Sequence, residues 1–175
     1  MEVIMNSKER RIYIREILEK NDMPQKGHIL SQKLGVTRQI IVKDIAILRA
    51  EGTDIIATPE GYLIPKSEKN LVKQVIAVSH KTTEIEDELK AIVKFGGKVQ
   101  DVIVEHSIYG EIKAMLMIKT LYDIENFMNK VKEHKAEPLL ILTGGVHLHT
   151  IVAENYDILE NIKGELKNKN YIIYD

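Results

Sequence analysis

The 175-residue sequence contains no cysteine and no tryptophan, and it has only two phenylalanines and four prolines. Without cysteine no disulfide can form and no thiolate can hold a metal, so any metal site must be built from histidine and carboxylates. Aromatic residues make up 5% of the chain, which leaves isoleucine, leucine and valine to build the cores. No apolar run approaches the roughly 20 residues that a membrane-spanning helix needs. Residues 1–11 hold no apolar stretch long enough for a secretory leader, so a soluble, cytoplasmic protein is expected. Internal repeats and low-complexity tracts are also lacking.

What is present is an ordinary globular balance, 44% hydrophobic and 29% charged, with a net charge of −1. Residues 1–66 carry 11 Lys/Arg against 9 Asp/Glu, and residues 67–175 carry 14 against 17. A basic face on the first half can therefore meet phosphates while the second half stays acidic. The apolar periodicity changes along the chain in the same sense. Up to about residue 52 it is helical: Asn6 or Ser7 caps a first helix with Ile14, Ile17 and Leu18 on one face, a second helix covers 28–34, and a third runs from Arg38 to about Glu51. Two short strand-like runs, 55–58 and 62–64, follow around a turn at Pro59-Glu60-Gly61.

The polar stretch 65–70 marks a domain boundary, giving domains 1–66 and 67–175. Beyond it strands are expected at 71–79, 99–106, 112–118 and 146–152, with a short one at 171–174. Helices are expected from a capping box at Thr83-Glu84-Ile85-Glu86 to Phe95, over 123–133 and over 155–167. Segment 138–143 fits a short helix or a strand. The fold class is thus α+β: a winged helix-turn-helix followed by a β-α-β-β-α-β domain with an α-β tail.

Three helices, the last two joined by Gly35-Val36-Thr37, suit a DNA reader. Gly35 ends helix two in the left-handed conformation, Val36 plugs the core and Thr37 caps helix three. On the third helix Ile41, Ile45 and Leu48 share one face and Ile40 and Ile47 another. Between them lies a strip of Arg38, Gln39, Val42, Lys43, Ala46 and Arg49. Arg38 and Gln39 stand at the helix N-terminus, where base edges are met, and arginine suits guanine as glutamine suits adenine. Lys43 is placed for a phosphate, and Val42 and Ala46 for close approach or a thymine methyl. A tri-helical packing module that never meets DNA is the bland alternative. The run from Leu30 through Thr37-Arg38 to Leu48-Arg49-Ala50-Glu51-Gly52 resembles the biotin-repressor-like winged-helix family over about the first third of the chain.

In the second half, His147 and His149 are two apart on an expected strand, so both imidazoles face the same side. Two imidazoles so placed can chelate a metal, or can be a hydrogen-bonded surface pair. Gly144-Gly145 just before them lets the backbone approach a ligand closely. On the helix after His80, Glu88 falls inside the arc of Ile85, Leu89, Ile92, Val93 and Phe95, where a carboxylate is costly unless paired or metal-bound. His80, at a strand end beside that helix, can converge on it.

Ser79-His80, the run 101–112 with His106-Ser107-Ile108-Tyr109-Gly110, and Thr143-Gly144-Gly145-Val146-His147-Leu148-His149 resemble the 3H domain, a small-molecule-binding module. With the winged helix in front, nearly the whole chain resembles the niacin-responsive transcriptional repressor family. That resemblance implies one divalent transition metal per chain (nickel, zinc or iron) held by His80, Glu88, His147 and His149. It also implies nicotinic acid, or a related pyridine carboxylate, as co-repressor, and target genes for NAD biosynthesis or niacin uptake. His106 and Tyr109 are the candidates for contacting the organic ligand, or form a turn-stabilising pair. Operator DNA and a homodimer are the expected partners. Two rivals stand beside this reading: a regulator that answers to the metal alone, and a metalloenzyme with a winged-helix appendage using Glu105 or Glu88 as base. A biotin-ligase architecture is disfavoured, because 109 residues after the boundary are too few and carry no Gly-rich nucleotide loop.

Overall fold

The structure, a computed structural model, describes residues 5–66, 70–134 and 137–173. The chain divides into two compact units, Met1–Ser67 and Glu68–Asp175. Within the polar stretch that marks the boundary, residues 67–69 lie outside the described residues, as does Tyr174 of the expected last strand.

The first unit is three helices and a two-stranded wing: α1 (Ser7–Lys20), α2 (Gly27–Lys33), α3 (Arg38–Ala50), β1 (Ile56–Thr58) and β2 (Gly61–Leu63). Asn6 starts α1 through a capping box, its side chain accepting from the Glu9 amide while the Glu9 carboxylate accepts from the Asn6 amide. Ile14, Ile17 and Leu18 of α1 pack with Leu30 of α2 and with Ile41, Ile45 and Leu48 of α3. Gly35 takes φ +61 between α2 and α3, and the Thr37 hydroxyl accepts from the Ile40 amide at 3.4 Å. The wing strands pair antiparallel, Ala57 opposite Tyr62. Tyr62 also exchanges two main-chain hydrogen bonds with Gln25, at 2.7 and 3.0 Å, which ties the wing to the α1–α2 connection.

The second unit runs β3 (Val72–Ser79), α4 (Ile85–Val93), β4 (Lys98–His106), β5 (Gly110–Ile118), α5 (Leu121–His134), β6 (Val146–Ala153) and α6 (Tyr156–Asn168). Its four strands form an antiparallel sheet in the order β3-β6-β4-β5, so the last strand in the chain lies inside the sheet. Register decides what each face carries. Ile76 pairs with His149, Val78 with His147 and Val99 with Ile151, and directly opposed residues share a face. That face is buried under α4, α5 and α6 through Leu89, Ile92, Ile124, Leu159, Ile162 and Leu166. Toward the start of β6 the same face passes from Ile151 to His149 and His147. The buried layer therefore ends in two imidazoles.

Two segments differ from the sequence expectation, and one that it left open takes its helical alternative. The box opening α4 is not at Thr83: residues Thr82–Glu84 tighten into a 3₁₀ turn, and the Glu84 carboxylate accepts from the Lys81 amide at 2.8 Å. The ambiguous segment is a 3₁₀ turn, Leu139–Thr143, with Leu140 plugging the core. The expected closing strand contributes a single bridge, Ile172 to Val78.

After α4 the chain turns at Gly96 and packs Gly97 under α6. A Cβ there would lie 2.6 Å from Ile162 Cδ1 and 2.9 Å from Ile92 Cγ2. Both neighbours are fully buried, so they have little room to yield. Gly97→Ala is expected to destabilise the second unit by about 1–3 kcal/mol. Urea unfolding followed by circular dichroism measures it, and an unchanged midpoint would contradict this account of the packing.

Candidate metal centre and nucleic-acid interface

Four side chains meet at one end of the sheet. His80 follows β3, Glu88 is in the first turn of α4, and His147 and His149 are on β6. All four are buried, Glu88 to 1% exposure. His80 Nε2 lies 2.8 Å from Glu88 Oε2, His149 Nε2 3.4 Å and His147 Nε2 3.6 Å from the same atom. Candidate ligand atoms of His80, Glu88 and His147 all lie within 4.8 Å of one another. The imidazoles stack edge to face along the row, with ring centroids 4.9 Å apart for His80–His147 and 4.8 Å for His147–His149.

The other ring nitrogens fix the orientation. Each Nδ1 lies at hydrogen-bond distance from a main-chain carbonyl: His80 from Lys81 O at 2.8 Å, His147 from Gly145 O at 2.8 Å, His149 from Asp101 O at 2.7 Å. A carbonyl only accepts, so each Nδ1 donates and the hydrogen-bonding pattern assigns the tautomer. Every Nε2 is then left to face the carboxylate. Two lone pairs facing each other repel, so each such contact requires a cation between them or a proton on Nε2. Burial on its own pushes the Glu88 carboxyl up, but the His149 charge and the hydrogen bonds from the three imidazoles hold it well below the usual carboxylate range. Burial pulls His80 and His149 down, and the Glu88 carboxylate overcomes it and raises both. Glu88 Oε1 is buried and accepts no hydrogen bond among the described residues. An ionised, half-satisfied carboxylate facing three fixed nitrogens is the donor set of a divalent transition ion, and the residues fit one.

Two further groups hold this arrangement. Gly145 has φ +107, and a Cβ on it would lie 2.6 Å from His80 O, so the β6 entry can approach His80 only as glycine. Asp101 sits at a bulge in β4, fully buried. Its carboxylate accepts from the Thr150 amide at 3.0 Å and from Lys113 Nζ at 2.9 Å, while its carbonyl receives His149. Burial pushes its carboxyl up, but Lys113 and Thr150 bring it below its usual value. Sequence reasoning passed over Asp101, although an aspartate inside an apolar strand is a visible signal.

His106 and Tyr109 stand on the β4–β5 hairpin with ring centroids 5.0 Å apart. His106 Nδ1 accepts from the Ile108 and Tyr109 amides at 3.1 and 3.4 Å, which organises the turn. The β4–β6 ladder ends at Ile103–Leu148. Alternation along β4 from Val102, which pairs with His149, sets His106 on the face that carries His149 and His147. Gly144, at φ +64, closes the 3₁₀ turn beside them.

In the first unit, Thr37, Arg38, Gln39, Val42, Lys43 and Ala46 are all exposed on one side of α3. Arg49 is not part of a free strip, because its Nε donates to Ile55 O at 2.7 Å and anchors the wing. The opposite side of α3 holds a residue that sequence reasoning missed. Asp44 is 2% exposed, with Arg10 Nε 2.6 Å and Arg11 Nη1 3.7 Å from its carboxylate. At 100° per residue it falls between Ile40 and Leu48, inside the apolar arc, the same signal that singles out Glu88. Asp44→Ala is expected to cost on the order of 3 kcal/mol by leaving the arginines uncompensated. Amide exchange in α1 and α3 then accelerates roughly 100-fold. Unchanged exchange would show that the pair does not fix α3 on α1.

Comparison with known proteins agrees with both units. Residues 10–63 match the model of an HTH domain, and residues 73–175 match that of the 3H domain. The chain is 44% identical over 165 residues to "Probable transcription repressor NiaR" of Thermotoga maritima, covering 94% of each protein. It is 34% identical over 161 residues to "Transcription repressor NadR" of Bacillus subtilis, covering 90% of this chain and 89% of that protein.

Proposed function

Because this chain belongs to the family of NiaR- and NadR-type transcription repressors, an HTH domain followed by a 3H domain, we propose that it represses NAD-biosynthesis or niacin-uptake genes with nicotinic acid as co-repressor. It is a regulator, not an enzyme, as its relatives are named repressors over nearly their whole length. No helix among the described residues is long and apolar enough to cross a membrane. The observation that carries the sensor reading is the convergence of three Nε2 atoms on Glu88 Oε2, with Oε1 unpartnered among the described residues.

His80, Glu88, His147 and His149 would hold a divalent ion, which would supply Lewis acidity toward the nitrogen or carboxylate of a pyridine carboxylate. The residues around it do the rest. The Gly144–Gly145 turn lets a flat ligand lie against main chain, and His106 with Tyr109 offers a ring pair on the same face of the sheet. In the first unit, Arg38 and Gln39 read base edges, Lys43 meets a phosphate, Val42 and Ala46 allow close approach, and Thr37 sets the helix start. A homodimer presents two α3 helices to half-sites about one DNA turn apart. By linkage, a ligand that tightens operator binding is itself held more tightly by the operator complex.

The test is fluorescence anisotropy of metal-analysed protein on DNA from upstream of the niacin and NAD genes, with and without nicotinic acid. The expected result is a gain in affinity of roughly 5–150-fold, the usual span of allosteric coupling, that disappears in His147→Ala. Tight binding that ignores nicotinic acid but responds to metal or chelator would replace this reading with a metal-responsive regulator.

A further inference from the structure

The C-terminal segment does more than close the fold. After α6 the chain reverses at Asn170, which takes φ +58, and the Tyr171 amide donates back to Leu166 O at 2.9 Å. This reversal delivers Tyr171 to the outer edge of β3, beside the four-residue cluster. Its carbonyl accepts from the Ser79 amide at 2.8 Å, one residue before His80. Its ring lies against the His80 imidazole, centroids 5.0 Å apart and tilted by 56°. Its phenol donates to Asp87 Oδ2 at 2.8 Å, one residue before Glu88 on α4. Lys169 Nζ reaches the same carboxylate at 2.9 Å. A main-chain bond from the Ile173 amide to Ala77 O at 3.1 Å fastens the segment further along β3. One residue thus touches both elements that bring His80 and Glu88 together.

We propose that Tyr171 is a positioning residue of the metal centre, holding the end of β3 and the start of α4 in the register that places His80 Nε2 on Glu88. This inference rests on the metal-binding reading of the cluster. The side chain suits the task in two ways. Its ring covers the outer flank of His80 and fixes the plane of the imidazole, whose Nδ1 is already committed to Lys81 O. Its phenol holds α4 by a bond to Asp87, and so limits rotation of the helix about the Glu88 position. A phenylalanine would fill the same space and pack on His80, but it would leave α4 unfastened. That difference separates a positioning role from simple core packing.

The experiment uses the full chain stripped of metal, with cobalt(II) alone as the probe. Affinity is read by competition with a chromophoric chelator, the coordination sphere by the cobalt ligand-field spectrum, and the fold by the melting temperature of the metal-free protein. Tyr171→Phe is expected to weaken cobalt(II) binding by about tenfold, in the range found for partners that orient metal ligands. The ligand-field bands shift with it, and the metal-free melting temperature stays near that of the parent. Asp87→Asn, which weakens the same bond from the α4 side, is expected to change affinity and spectrum in the same direction. Parent-like affinity and spectrum in both variants would overturn the proposal, as would an affinity loss matched by an equal loss of metal-free stability. Absence of cobalt(II) binding by the unsubstituted chain, measured first, would overturn the metal reading itself and this inference with it.

Discussion

Three imidazoles give their Nδ1 protons to main-chain carbonyls and turn Nε2 onto one buried carboxylate oxygen. Much of the second unit follows from that constraint. Placing β6 inside the sheet puts His147 and His149 on the helix-covered face, one strand from His80. The bulge at Asp101 aims a carbonyl at His149, and Gly145 brings the β6 entry against His80. In a protein interior such a cluster is costly unless positive charge sits among the nitrogens. On the proposed reading a divalent ion would supply that charge, and its binding would be expected to release protons. The nitrogens are already oriented by main-chain carbonyls, so on the proposed reading a metal would need little further ordering.

The first unit solves a similar problem with different partners. Asp44 is a buried carboxylate on α3, as Glu88 is on α4, but it is neutralised from within by Arg10 and Arg11 of α1. Its charge is fully answered by the chain, so it serves geometry and asks for no ligand. Glu88 is answered by groups that bind a metal equally well and keeps one oxygen spare. The contrast separates a buried acid neutralised within the chain from one that, on the proposed reading, answers to a metal. It also accounts for the division of α3: the ion pair and the isoleucines occupy one side, and Arg38, Gln39, Val42, Lys43 and Ala46 are exposed on the other.

Most of the fold was legible because its signals are local. Helical spacing gives α1 and α3, Asn6 and Thr37 give their starts, and strict alternation gives β6 with its paired histidines. Glu88 was visible as a charge within an apolar arc, and Asp44 carried the same mark and went unread. What the sequence hid depends on distant pairing. No spacing rule shows that β6 enters the sheet between β3 and β4, which is what unites His80 with His147. Asp101 stood out as an aspartate in an apolar strand, but that its carbonyl receives His149 depends on a bulge that residue type does not announce. Tyr171 follows a left-handed helix stop at Asn170, but its contacts with Ser79, His80 and Asp87 depend on distant pairing that the sequence does not show. The 3₁₀ turn before α4 was missed because Thr83 offers a better capping pattern on paper than the Lys81–Glu84 pair the chain uses.

The most direct test of the central claim is X-ray absorption at the zinc edge on the full chain loaded with one equivalent of zinc(II). The account predicts a first shell of nitrogen and oxygen at about 2.0–2.2 Å, with outer-shell scattering that fits three imidazoles and one carboxylate. A water-dominated shell, or scattering from one imidazole or none, would contradict it, because the converged Nε2 atoms would then not be what the ion finds.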